Sequence, residues 1–411
     1  MARKDTQTLV DHIRDVRLSD IVGFLKLGIA FLPSLVLRRR HPNIWVVSEL
    51  PNNARDNGYW FFRYLRTTHP EVDAYYPIHK DSSDYQFVQP WGNVVEFGSI
   101  RHYALFWAAS TYLTTTKQHG FPHERIGILF VLNNLARFNY VFLNHGVARG
   151  YSSIVDGRTT NYDMIVAISQ AEKRAMVAYN YQTPNIIQPI GFCRHDSLNN
   201  SMLEKDLILF MPTWRMWLDY RHETDKDKIE HIKQAFWESA YYQRIQEMMQ
   251  SPRLARFLEA KNLRMLVYLH GYAQVYSDAF APTSERIHIE HKESAFIQDL
   301  LKRAAYLITD YSSVIFDFAY MKKPCCYYQF DAEEFSQKQY AESEFFTYEH
   351  DGFGPVFHEL DEVIDDLEQS QANGFVMEEP YRTRVTNYFP SFDTNHCQRT
   401  YELVKALPAK R

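Results

Sequence analysis

From residue 43 onward the chain alternates short apolar runs with longer stretches of helical periodicity. Nine runs rich in β-branched and aromatic residues predict strands: Ile44–Ser48, Tyr112–Thr115, Tyr140–Asn144, Met164–Ile168, Ile186–Ile190, Leu207–Met211, Met265–Leu269, Ala305–Thr309 and Cys325–Phe330. Strands spaced by helices imply βαβ units, because parallel neighbours need a long crossover. The polar stretch Ser197–Asp206 divides the nine into five and four and is the expected linker. Two parallel-sheet α/β domains of similar size are therefore predicted.

One run stands apart. Ile21–Leu37 is seventeen residues with a single charge, Lys26, and it leads directly into Arg38-Arg39-Arg40-His41. Spanning a bilayer takes about 20 apolar residues, and Pro33 interrupts this run. Three readings stay open: a helix lying in the membrane interface, a buried domain helix, and a true span. The arginines would suit anionic headgroups in the first case. The opening MARKDTQTLVDHIRD has neither an apolar stretch close behind its charges nor a small-residue cleavage signal, so no secretory signal is expected there.

Composition narrows the class. With 411 residues, 45% hydrophobic and 23% charged, the chain is long enough for two ordinary domains and too apolar for disorder. A formal charge of −5 argues against wholesale attraction to nucleic acid as the basis of function. The four cysteines, Cys193, Cys325, Cys326 and Cys397, form no CxxC pair, which argues for a reduced, cytoplasmic protein without a disulfide framework or zinc site.

Candidate chemistry gathers after the strands, where parallel sheets bind ligands. In Ile308–Pro324 a strand ends, Asp310-Tyr311-Ser312-Ser313 turns, and Val314–Met321 reads as a helix. Ser312 and Ser313 fall in its cap region, so hydroxyls, free N–H groups and the positive dipole end would converge on an anion; simple capping has the same geometry. Asp317 lies one turn further on. His145-Gly146 and His270-Gly271 each follow a strand, and facing domains would bring the two imidazoles to one cleft, one as a base and one, charged, beside a phosphate oxygen. Arg194 and Arg215 also follow strands, with guanidinium forks that suit phosphate or a carboxylate such as Asp196. Asn52–Gly58 has the turn composition of a loop at a sheet's carboxyl edge. There is no HExxH, DxD, P-loop or Cys/His cluster, so metal: none is the expectation, with no obligatory cofactor and a bivalent cation still possible.

These pieces coincide with a known family. Ser48–Leu65 (SELPNNARDNGYWFFRYL), Phe142–Val147 (FLNHGV), Gly191–Leu198 (GFCRHDSL), Phe210–Arg215 (FMPTWR), Tyr268–Gly271 (YLHG), Leu307–Asp331 and Asp351–Val356 (DGFGPV) resemble, in family order, the CDP-glycerol:poly(glycerophosphate) glycerophosphotransferases that build teichoic acid and related capsular polymers. The resemblance implies a GT-B fold: two facing Rossmann-like parallel-sheet domains with a C-terminal helix crossing back. It implies a membrane-associating segment at 1–40, an acceptor-side domain at 41–200, a CDP-donor domain at 201–380 and a helical end at 381–411. By resemblance His145 and His270 are catalytic, and Arg215, Ser312, Ser313 and Asp310 bind the donor phosphates. Gly146, Arg194, Thr213, Asp317 and Asn57 are further candidate site residues. The implied reaction moves glycerol or ribitol phosphate from a CDP-linked donor to a lipid-linked or glycan acceptor, peripherally at the cytoplasmic face of the cell membrane, with no nucleic-acid partner. A GT-B glycosyltransferase or a non-catalytic assembly scaffold are the alternatives.

Overall fold

The computed structural model describes residues 17–291, 296–340 and 343–410. The segment read above for a secretory signal and the first sixteen residues of the 1–40 segment lie outside them. Among the described residues thirteen strands form two sheets, and every pairing between them is parallel. The first sheet, in order β3-β2-β1-β4-β5-β6-β7, takes β1 (Ile44–Ser48), β2 (Asp73–Ile78), β3 (Val94–Glu96), β4 (Thr111–Thr114), β5 (Asn139–Phe142), β6 (Met164–Ala167) and β7 (Ile187–Pro189). The second, in order β10-β9-β8-β11-β12-β13, takes β8 (Glu204–Met211), β9 (Arg264–Tyr268), β10 (Ile287–Glu290), β11 (Ala304–Thr309), β12 (Cys325–Tyr328) and β13 (Val356–Phe357). The order reverses between β1 and β4 and again between β8 and β11, which opens a crevice at the carboxyl end of each sheet.

All nine expected strands are present, and four more join them. Pro77 hides β2, β3 and β13 are too short to show a period, and β10 alternates Ile with His288 and Glu290. The expected linker Ser197–Asp206 is shorter than its composition suggests, since Glu204 and Asp206 already belong to β8. Their carboxylates pair sideways with Arg264 and Arg303, so polar residues here mark a solvated strand end and not a loop.

Seven helices matter for the site: α1 (Leu18–Arg40), α2 (Asn57–Thr68), α3 (Ile100–Ala108), α4 (Glu124–Leu132), α5 (Gln170–Asn180), α6 (Val314–Tyr320) and α7 (His396–Lys405). The run around Pro33 is one helix: α1 continues through the proline. Its stripe Asp20, Gly23, Leu27, Ala30 and Ser34 is buried, and these mostly small residues let it lie close on α3 and α4. A Cβ on Gly23 would come within 2.6 Å of the His123 ring. Polar ties fasten α1 to the first domain. The Trp107 indole donates to the Leu27 carbonyl (2.9 Å), Lys26 donates to Gly98 (2.9 Å) and Arg38 donates to Trp107 (2.8 Å). The opposite face, including Ile21, Leu25, Ile29 and Leu32, stays exposed.

A single apolar cluster runs from the first sheet (Val47, Leu113, Val141) through Phe61 and Phe62 to Ile315 and Phe316 of α6 and Tyr401 and Val404 of α7. The chain thus returns to the first domain at its end. Asp196 secures the return, accepting from the backbone N–H groups of His396 and Cys397 (2.7 and 2.9 Å) and meeting His396 Nδ1 at 2.8 Å. A carboxylate bound by three donors contributes about 2–3 kcal/mol, so Asp196→Ala should lower the unfolding free energy by that amount in a urea titration. Unchanged stability would show that α7 docks by apolar contact alone.

Candidate active site

The loop after β5 is built to hold one imidazole. Asn144 adopts φ +65°, a conformation asparagine tolerates, and its side-chain oxygen accepts from the His145 and Gly146 N–H groups (2.9 and 3.4 Å). Its amide donates to Glu172 of α5 (3.1 Å), which also accepts from the Ala148 and Ile168 N–H groups (2.8 and 2.6 Å). Burial pushes the Glu172 carboxyl up to about 7. From the other side, Asn57 at the start of α2 donates to the Leu143 and Asn144 carbonyls (3.3 and 2.8 Å).

His145 Nδ1 lies 3.0 Å from the Thr115 carbonyl. A carbonyl only accepts, so Nδ1 carries the hydrogen and Nε2 keeps a free lone pair. The ring has an open edge yet is walled in by the cleft, and this burial lowers its pKa below the ordinary imidazole value, with the Asp56 carboxylate opposing. At neutral pH His145 is thus a neutral group able to take a proton.

In the second domain, His270 follows β9 and is half-buried. The Tyr272 N–H donates to its Nδ1 (3.2 Å), which leaves the hydrogen on Nε2 and makes the ring a donor. Burial, reinforced by Arg221, pulls its pKa down to about 4. The surroundings of His270 thus disfavour the charged imidazole expected beside a phosphate, and the ring is a neutral N–H donor. Trp214 stacks beside it, with ring centroids 6.1 Å apart.

Ser312 and Ser313 close β11 and open α6, with Ser313 as N-cap and both side chains partly exposed. They face His145's loop directly: a Cβ built on Gly146 would sit 3.2 Å from Ser313 Oγ. Glycine permits that approach. Arg149, which the sequence did not mark, ties the same two segments, donating to the Tyr311 carbonyl (2.6 Å) and to the Tyr348 hydroxyl.

Other expected phosphate ligands lie elsewhere. The Arg215 side chain has no exposed surface: it makes a forked pair with Asp331 (2.7 and 2.9 Å) and donates to Asp310 (2.9 Å) and the Thr213 carbonyl (2.5 Å). Asp310 also accepts from the Thr213 N–H and hydroxyl (2.8 and 2.6 Å) and the Tyr311 N–H (2.5 Å). Arg215, Asp310 and Thr213 thus brace the serine turn from beneath and do not reach the cleft. A guanidinium suits phosphate and carboxylate equally, and residue type alone could not decide between them. Arg194 and Asp317 are likewise a buried pair (2.7 Å), and Arg194 joins Asp56 (2.7 Å) in place of Asp196.

The sequence also passed over Glu49, directly after β1. It accepts from the Arg55, Asp56 and Tyr59 N–H groups (3.1, 3.0 and 2.7 Å) and so shapes the Asn52–Gly58 loop, while burial and the neighbouring Asp56 push it up to about 8. No group of three or more His, Cys, Asp or Glu side chains is placed to hold a metal ion among the described residues.

Two Rossmann-like domains that face each other, with a histidine loop from one against a serine turn from the other, define a GT-B protein. The chain matches the family described as CDP-Glycerol:Poly(glycerophosphate) glycerophosphotransferase over residues 30–406 and belongs to it. It is 28% identical to the minor teichoic acid biosynthesis protein GgaB of Bacillus subtilis (strain 168) over 368 residues, covering 89% of this chain and 40% of that protein. It is 22% identical to the teichoic acid poly(glycerol phosphate) polymerase of the same strain, covering 75% of this chain and 41% of the relative. The chain therefore spans about two fifths of the length of these curated relatives. A structure of the wall teichoic acid polymerase TagF, soaked with CDPG, superposes with a TM-score of 0.62 at 17% identity, covering 94% of this chain and 97% of the other, and shares the fold.

The buried placement of Arg215 makes a testable distinction. Removing one partner of a buried ion network costs about 3–5 kcal/mol, whereas a change at a partly exposed hydroxyl stays within about 0.5 kcal/mol. Arg215→Met should show the first cost in urea unfolding and Ser313→Ala the second. Full stability of Arg215→Met would return the guanidinium to the cleft.

Proposed function

We propose that this chain transfers glycerol phosphate, or ribitol phosphate, from a CDP-linked donor to a hydroxyl of a lipid-linked or glycan acceptor in the synthesis of teichoic acid or a related capsular polymer. The observation that carries this reading is the close approach of Gly146 to Ser313, with a neutral, oriented histidine of one domain beside partly exposed hydroxyls of the other. Family membership and the names of the relatives support it.

In this reading His145 Nε2 removes the acceptor's hydroxyl proton as its oxygen attacks the polyol-bearing phosphorus. A new P–O bond forms, the P–O bond to the CMP moiety breaks, and CMP leaves with the electron pair. His270 and the Ser312–Ser313 turn follow strands β9 and β11, on either side of β8, at the carboxyl end of the second sheet. Both offer hydrogen-bond donors to the donor's two phosphates, where charge must be stabilised as the bond breaks.

The acceptor side also has a place in this reading. α1 presents an apolar face beside Arg39 and Arg40, both exposed, and holds the protein peripherally on the cytoplasmic leaflet, each arginine adding about 1 kcal/mol near an anionic surface.

Two measurements test these assignments. With CDP-glycerol and CDP-ribitol as donors and CMP release as the readout, His145→Ala should lower turnover by about 100-fold or more. For the native enzyme kcat/KM should fall only below pH ~6.5, because a base with a depressed pKa stays neutral through pH 7 and is lost when protonated. Near-normal turnover in folded His145→Ala would remove the histidine from the chemistry. In the second, substituting Leu25, Ile29 and Leu32 by Asp should abolish sedimentation with anionic vesicles while the protein stays folded. Undiminished sedimentation would place the contact elsewhere.

A further inference from the structure

We propose that Arg194 is a positioning residue that joins the two domains and sets the His145 loop in register with the serine turn. The proposal rests on the functional reading above and adds to it a specific device.

Arg194 lies in the short turn Cys193–Ser197 after β7 and is almost wholly buried. Its Nε donates to Asp317 of α6 (2.7 Å), one turn below Ser313. Its Nη1 donates both to Asp56, the N-cap of α2 (2.7 Å), and to the carbonyl of His145 itself (3.1 Å). Its backbone N–H donates to Asn57 (3.1 Å), the same side chain that holds the Leu143 and Asn144 carbonyls. One planar fork therefore touches the first domain's histidine loop, the first domain's α2 and the second domain's α6. His195 alongside donates from Nε2 to the other Asp317 oxygen (3.1 Å), so that carboxylate is fixed in turn.

The chemistry of the group suits this task. A guanidinium is planar and charged at every working pH, so it fixes angles as well as distances, and burial between two carboxylates makes each contact costly to break. An ammonium in the same place keeps the charge and loses the fixed geometry. Arg194 itself does not reach the cleft, so its effect on the reaction passes through the His145 carbonyl and the Asp317 end of α6.

The test compares Arg194→Lys with the native chain in three readouts: CMP release, calorimetric affinity for CDP, and amide hydrogen exchange without ligand. A misplacement of about 1 Å costs about 100-fold, so kcat should fall by roughly that factor, with CDP affinity within about threefold and exchange at 143–148 about tenfold faster. Exchange in β4 and β5 should be unchanged. Asp56→Asn, which removes one arm and keeps the shape, should move the same readouts in the same direction and stands in if the lysine variant does not fold. Native kcat in a folded variant overturns the proposal, as does a loss of CDP affinity equal to the loss of kcat, faster exchange throughout the chain, or failure of both variants to fold. Should the native chain release CMP from neither donor, the functional reading falls and the exchange measurement alone decides the clamp.

Discussion

A positive charge taken out of water must meet negative charge at fixed geometry, and two guanidinium groups impose that condition on the two halves of this protein. Arg215 organises the second domain from within, drawing Asp310 and Asp331 together beneath the turn that carries Ser312 and Ser313. Arg194 does the same across the domain seam with Asp56 and Asp317. Neither group is free to move without leaving carboxylates unpaired in an apolar setting, where the cost of an uncompensated charge is several kcal/mol. The exposed parts of the cleft are the ends of these two buried networks. Their positions are fixed by groups that a ligand does not touch.

Much of the architecture was legible in the residues. Runs such as Leu207–Met211 and Ala305–Thr309 are apolar on both faces, as buried parallel strands must be, and they announce themselves without help from neighbours. β2 and β10 do not, because Pro77, His288 and Glu290 break the expected pattern at positions where only the finished sheet shows that they are tolerated. The histidine and serine loops were legible for a topological reason: they follow strands. What a side chain meets across the fold was not. Arg215 and Arg194 carry the same fork whether it grips a phosphate or a carboxylate, and Asp56, Glu49 and Glu172 are ordinary acids until burial raises them. Arg149 acquires its meaning only when Tyr311 and Tyr348, some 160 to 200 positions later, come to lie beside it.

The two histidines differ in a way that residue type conceals. One takes its hydrogen to Nδ1 because a carbonyl demands a donor there, and the other leaves Nδ1 bare because an amide demands an acceptor. Opposite backbone partners thus leave one ring with an acceptor at Nε2 and its counterpart with a donor there, with no difference in sequence beyond what surrounds them. Family membership and fold are established by the whole chain, but this division of labour is a property of two hydrogen bonds.

α1 has a consequence of a mechanical kind. It is tied to the first domain near its middle through Lys26 and Leu27 and near its end through Arg38, so the two move as one piece. Any surface that takes up the exposed stripe of the helix also fixes the tilt of the domain bearing His145, and a reaction partner confined to that surface need search only two dimensions.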